Sequence, residues 1–182
     1  YATIVTGIIN LGLLNIYDRT FFELSHDKRK SLLYTVLLFV LFLFSIFFIL
    51  TNSFQEVIAE FFFRKKELKN YLLIALWFQA FKTLNLYFLS YLKNYDKAKI
   101  HSYFTIAESS LSILLALLFV TNYSMGLYGF LLGQTLGVSL VFLVTFIYLF
   151  SPFNSKLEIK LLKQQLKLSL PLTPRIFFGV IN

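Results

Sequence analysis

Lys82 is the residue whose position carries the most chemistry. It sits mid-way along residues 71–92, YLLIALWFQAFKTLNLYFLSYL, a run otherwise free of Asp, Glu, Lys, Arg and His. A lysine at the centre of a bilayer-spanning helix costs about 2.5–3.5 kcal/mol, so its place there needs a reason. Ala75, Gln79, Lys82, Thr83 and Ser90 recur at helical spacing on one side. Two readings follow. Lys82 lines a hydrated cavity and attracts an anion, or it pairs with an acid on a neighbouring helix. Glu108 is such an acid. It shares a face with His101, Thr105, Ser109 and Ser112, while residues 113–120 are purely apolar. Glu108 thus lines a cavity open on one side, or it makes a polar helix contact, with Lys82 as a candidate partner. Thr3, Thr6 and Asn10 form a third polar face, which interhelical hydrogen bonds alone would explain. Near the end, SLPLTPRIFFGVIN places Arg175 just after Pro171 and Pro174. The prolines bend a helix start, and Arg175 shares a face with Gly179 and Asn182. A guanidinium keeps its charge and its fork suits phosphate oxygens. Arg175 is either an anion-binding group or an arginine snorkelling to the membrane surface.

These residues are held by long apolar runs. The clearest covers residues 31–52, 22 residues without an Asp, Glu, Lys, Arg or His. As a helix it would extend roughly 33 Å, against a hydrocarbon core of roughly 30 Å. It lacks the period-2 alternation of a barrel strand. Further spans are predicted over residues 1–17, 71–92, 102–121 and 127–150, with a sixth starting near Leu168. The fold class expected is an all-α, polytopic transmembrane bundle of about six spans.

Composition agrees. Hydrophobic residues are 58% of the chain and charged residues 14%, well under the quarter that soluble domains carry. The net charge of +8 does not signal nucleic acid, because the basic residues lie at span ends, where membrane proteins place them. No cysteine is present, so disulfides and thiolate metal sites are excluded. His26 and His101 lack ligand-spaced partners, so no metal site is expected. No G-x-x-x-x-G-K-[ST] motif occurs, and no cofactor is predicted. Both ends fall inside apolar runs, so the chain reads as an internal fragment.

The joints carry an uneven charge. Eleven Lys and Arg fall in the first, third and fifth joints and four in the second and fourth. The positive-inside rule places the first set in the cytoplasm. In the last joint Lys156, Lys160, Lys163 and Lys167 recur on one helical face, with Ile159, Leu162 and Leu166 on another. Residues 156–167 are therefore predicted to form an amphipathic interfacial connector whose lysines meet anionic headgroups, at ~1 kcal/mol each. Gly129, Gly133 and Gly137 repeat every four residues, a spacing that brings two helix backbones close.

Four segments together resemble the oligosaccharide and polysaccharide flippase family (the Wzx type), of the multidrug/oligosaccharidyl-lipid/polysaccharide exporter superfamily. LGLLNIYDRTFFELSHDKRK resembles a span with a glycine-containing turn and an arginine-bearing joint. YFLSYLKNYDKAKIHSYFTIAESSLSILLALLFV resembles two spans on a short basic loop. GLYGFLLGQTLGVSLVFLVTFIYLF and LKLSLPLTPRIFFGVIN resemble the sixth helix and the start of the second half. The resemblance implies two helical bundles around a central cavity. Residues 1–167 would be most of the first bundle, and 168–182 the start of the second. It implies a non-enzymatic flippase of a bacterial or archaeal cytoplasmic membrane, moving an undecaprenyl-pyrophosphate-linked oligosaccharide. Arg19, Lys82 and Arg175 are the candidate cavity cations, with Gln79, Thr83, Glu108 and Asn10 as polar lining. Two other readings stand beside it. A cation-coupled drug exporter wants intramembrane acids, of which Glu108 is the clear one. A membrane-embedded polysaccharide polymerase wants a sizeable outer loop, which residues 53–70 and 122–126 do not offer.

Overall fold

The structure is a computed structural model that describes residues 1–149 and 155–172. The described residues are helical, without a strand. The helices are α1 (Ala2–Asn10), α2 (Leu13–Phe21), α3 (His26–Ser53), α4 (Gln55–Phe63), α5 (Lys69–Asn94), α6 (Ala98–Thr121), α7 (Gly126–Tyr148) and α8 (Ile159–Ser169). Four helical stretches are long and apolar enough to cross a membrane: His26–Ser53, Lys66–Asn94, Ala98–Thr121 and Gly126–Tyr148. They match the second to fifth runs expected from sequence, and the protein is a membrane protein. α5 is the central element and packs on α1, α2, α3, α6 and α7. The main core lies between the first two short helices, α3 and α5, around buried Tyr17, Phe21, Tyr87, Phe88 and Leu92.

Two expectations are corrected. The first run is not one continuous span. It breaks at Leu11 and Gly12, both left-handed with φ of 43° and 73°, which splits it into α1 and α2. Gly12 adopts that conformation freely, whereas Leu11 does so against its β-carbon. The sixth span expected from near Leu168 falls mainly outside the described residues; Leu168 itself lies in the last turn of α8, followed by a short 3-10 turn over Leu170–Leu172. The connector helix begins at Ile159, so Lys156 precedes it. Its inner face is also partly polar. Leu161, Leu162 and Leu166 touch the core, but Gln165 is buried and donates to Thr20 Oγ1 at 2.8 Å, while Ile159 faces outward. Burying an amide this way requires that partner.

Long-range contacts show which joints share an end. Asp18 accepts from Lys93 Nζ at 3.2 Å, and the His26 and Tyr95 rings lie 5.5 Å apart. The Glu158 backbone N–H donates to Thr35 Oγ1 at 3.0 Å. The first, third and fifth joints therefore gather at one end. At the other end Tyr1 bonds Thr51, the Tyr1 and Phe62 rings lie 5.3 Å apart, and Tyr71 meets Tyr128 at 6.1 Å. On that side α4 is tied by ion pairs, Glu56–Lys69 at 2.6 Å and Glu60–Lys66 at 3.4 Å. The Lys69 hydrogen bond holds the Glu56 carboxyl below the usual carboxylate range. With eleven cations at the first end, single cysteines at positions 28 and 97 are expected to resist an impermeant thiol reagent in intact cells. A cysteine at 123 is expected to react. Labelling at 28 and 97 from outside would reverse the orientation.

α6 and α7 pack closely along the glycine stripe. A Cβ built on Gly133 would meet Ala116 backbone atoms at 2.4 Å, and one on Gly137 would meet Ser112 Cα at 2.4 Å. The stripe is a backbone-to-backbone contact, as its spacing predicts.

Candidate functional site

The polar groups of the membrane spans converge on α5 and divide between two of its faces. One face meets the broken first span. Tyr87 Oη donates to Asn10 Oδ1 at 2.7 Å, directly beside the break. One end of the span lower, Asp18 accepts from Ser90 and from Asn94, the latter at 2.8 Å, while its second oxygen takes Lys93. These bonds fasten both short helices to α5. They also explain why a nine-residue helix can stay put when it is too short to cross a bilayer alone. Near the opposite end, Gln79 and Ala75 line a cavity of about 380 Å³ together with Thr3, Phe78 and Gln134. The stripes predicted on the first span and on α5 thus face each other.

The second face of α5 meets α6. Asn85 is fully buried and donates through Nδ2 to Glu108 Oε2. Glu108 was a candidate partner of Lys82, but the two form no ion pair within 4.0 Å. Glu108 takes the Asn85 amide instead, and Lys82 stays within electrostatic reach of it. Three residues separate Lys82 from Asn85, so they share one stripe. Gln79 stands equally three positions from Lys82, on its other side, with Thr83 beyond it. The polar face expected over Gln79, Lys82, Thr83 and Ser90 thus has Lys82 at its margin, next to a second face that carries Asn85.

Lys82 is half-buried. Its Nζ sits 5.4 Å from the centre of the Phe78 ring, a cation–π contact. No carboxylate lies within 4.0 Å of it among the described residues. Thr83 is buried in protein, away from open space. Arg19 is exposed in the last turn of α2, at the end where the cationic joints gather, far along the chain from Lys82. The structure does not bring those two cations onto one element. Arg175, with Pro174, Gly179 and Asn182, lies outside the described residues. Among the described residues no cluster of three or more His, Asp or Glu has the makings of a metal site.

Sequence reading missed Asn85, Tyr87, Asp18 and Gln134. Asn85 had a signal, since it stands one turn from Lys82. Asp18 was assigned to a solvated joint, because nothing local marks it as an acceptor for a helix more than seventy residues away. Comparison of the chain with protein-family models, with curated proteins and with solved structures finds no match.

Proposed function

We propose that the protein flips an undecaprenyl-pyrophosphate-linked oligosaccharide across a bacterial or archaeal cytoplasmic membrane, for cell-surface polysaccharide synthesis. One observation carries this reading: a half-buried lysine at mid-span, Lys82, without a carboxylate within 4.0 Å among the described residues. Such a charge facing lipid would be costly, so its open side is reserved for water and an anionic ligand. A diphosphate suits it as a counter-charge that arrives and leaves with the substrate. Arg19 adds a cation at the cytoplasmic mouth. The exposed Lys156, Lys160, Lys163 and Lys167 would rest against anionic headgroups. A second bundle of similar topology completes the cavity in this proposal, with residues 168–182 at its start. The transport needs no covalent step.

A second reading is favoured by a different observation. Glu108 is a carboxylate inside a span, held by a buried amide, which suits a cation-coupled exporter. Reconstitution separates the two. Proteoliposomes of the full protein are loaded with a fluorescent polyprenyl-diphosphate oligosaccharide, and a membrane-impermeant quencher reports the outer leaflet. Protein-dependent equilibration between leaflets is expected. Failure to move this lipid, together with efflux of a cationic dye driven by an ion gradient, would replace the first reading with the second.

A further inference from the structure

Residues 53–70 join two membrane spans at the end of the bundle away from the cationic joints, and half of that joint is the helix α4. Its apolar side is turned away from the protein. Val57 is 66% exposed, Phe61 79% and Phe54 56%. Standing at i, i+3 and i+7, they form one stripe, with the half-buried Ile58 at i+4 beside it. Ala59, fully buried, marks the side that rests on the bundle. Glu56 and Glu60 mark a third side, where they pair with Lys69 and Lys66. By helical phase the stripe lies roughly 170° from Ala59 and roughly 110° from the midpoint of the two acids. One side of α4 thus meets protein, one carries neutralised polar groups, and one is bare hydrocarbon.

The surroundings set its depth. Phe62 meets Tyr1 at 5.3 Å, and Phe63 shares a cavity with Leu68, Tyr71 and Leu127. Tyr1, Tyr71 and Leu127 stand at the starts of α1, α5 and α7, so α4 lies level with the ends of the bundle helices. Asn52 and Ser53, both exposed, mark where α3 leaves the hydrocarbon just before α4 begins. That is the depth of the headgroups.

Two observations select a lipid surface as the occupant of the bare side. The first is charge. The four Lys and Arg of the second and fourth joints all fall within residues 64–69. Lys66 and Lys69 are taken by the acids of α4. Arg64 and Lys65 are exposed without an acid within 4.0 Å among the described residues, and Glu67 is the one acid of the joint left to offset them. A cationic surplus directly after an apolar stripe matches an anionic bilayer surface. The second is size. Three exposed side chains fall far short of the roughly 20–30 residues a side of a stable protein interface. A lipid contact needs no such area, because α3 and α5 already hold α4 at the bilayer.

We infer that α4 is an interfacial helix seated in the bilayer surface at the end opposite the cationic joints. Phe54, Val57 and Phe61 enter the acyl boundary, Arg64 and Lys65 take the phosphates of anionic headgroups, and the paired acids face water. This surface is independent of what the protein transports.

The chain has no native cysteine, so single cysteines carrying an environment-sensitive fluorophore report depth in nanodiscs of the full protein. At Phe54→Cys, Val57→Cys and Phe61→Cys, quenching by a nitroxide-bearing phospholipid is expected to exceed quenching by aqueous iodide about threefold. At Glu60→Cys the order should reverse, with the Glu56–Lys69 pair still holding the helix in place. Adding Arg64→Gln and Lys65→Gln should lower lipid quenching at position 61 in phosphatidylglycerol nanodiscs to its level in phosphatidylcholine. Iodide quenching as strong at 57 and 61 as at 60 would show a solvated helix and overturn the inference. Shielding of 57 and 61 from both quenchers would put protein there, a second copy or another part of the chain, and overturn it equally. Quenching at 61 that ignores lipid charge would overturn the assignment of Arg64 and Lys65.

Discussion

Gly137→Ala is expected to loosen the packing of α6 on α7, and Gly137→Val to disrupt it. The added Cβ would lie 2.4 Å from Ser112 Cα and 2.6 Å from its backbone nitrogen. Neither atom can swing aside as a side-chain tip would, so the helices must separate. Gly133 is as tight, with Ala116 Cα and nitrogen both at 2.4 Å. Overpacking of this kind costs about 1–3 kcal/mol per site. For a chain of this size that corresponds to a melting midpoint roughly 2–12 °C lower. Separation would also strip dispersion contacts, which hold membrane helices together in place of the hydrophobic effect. Gly7 is the control. A Cβ there meets nothing within 4 Å, so Gly7→Ala should be neutral or stabilising, since alanine favours a helix by about 1 kcal/mol over glycine. Thermal unfolding of the detergent-solubilised variants measures all three. Equal midpoints for Gly137→Ala and Gly7→Ala would contradict the close backbone contact.

Lys82→Ala is expected to abolish lipid-linked oligosaccharide flipping while leaving the protein as stable as before, or more so. The two readouts separate cavity from scaffold. Removing a mid-span lysine relieves about 2.5–3.5 kcal/mol of insertion cost. If Lys82 were a structural counter-ion, its loss would leave Glu108 exposed to that cost and lower the melting midpoint. The geometry argues against this, because Glu108 is satisfied by Asn85 and Lys82 is not within 4.0 Å of it. Lys82→Arg should keep part of the transport, since the charge remains while its shape changes. Lys82→Gln should behave like alanine in transport. Full flipping by Lys82→Ala would remove the observation on which the function rests. A destabilised Lys82→Ala rescued by Glu108→Gln would instead establish the pair as structural.

Much of the bundle is legible in one dimension. Hydropathy is a local sum, and a run such as residues 31–52 has only one low-energy way to lie in lipid. α3, α5, α6 and α7 accordingly appear where the apolar runs are. The glycine stripe was equally readable, because a repeat of four residues puts bare backbone on one helical edge whatever the partner. Joint ends followed from chain reversal alone, and Asp18–Lys93 and Glu158–Thr35 agree with them.

What periodicity missed depends on partners distant in sequence. The break at Leu11 and Gly12 leaves the hydropathy of the first run high, so nothing local separates two tethered helices from one span. Its stability comes from Asn10–Tyr87 and from Asp18 with Ser90 and Asn94, contacts spanning more than seventy residues. The polar face of α5 divides because α1–α2 and α6 claim different sides of it, and helical phase cannot say which neighbour sits where. Gln165 looks like a surface residue of a lysine-rich helix until Thr20 meets it 145 residues away. The amino-acid sequence by itself determined that the chain enters the membrane, where it turns and how α6 meets α7, since those follow from transfer energies and local spacing. Only the tertiary structure decided which polar groups are satisfied and that Lys82 has no carboxylate within 4.0 Å among the described residues, because a buried polar group is paid for by its partner and not by its own position.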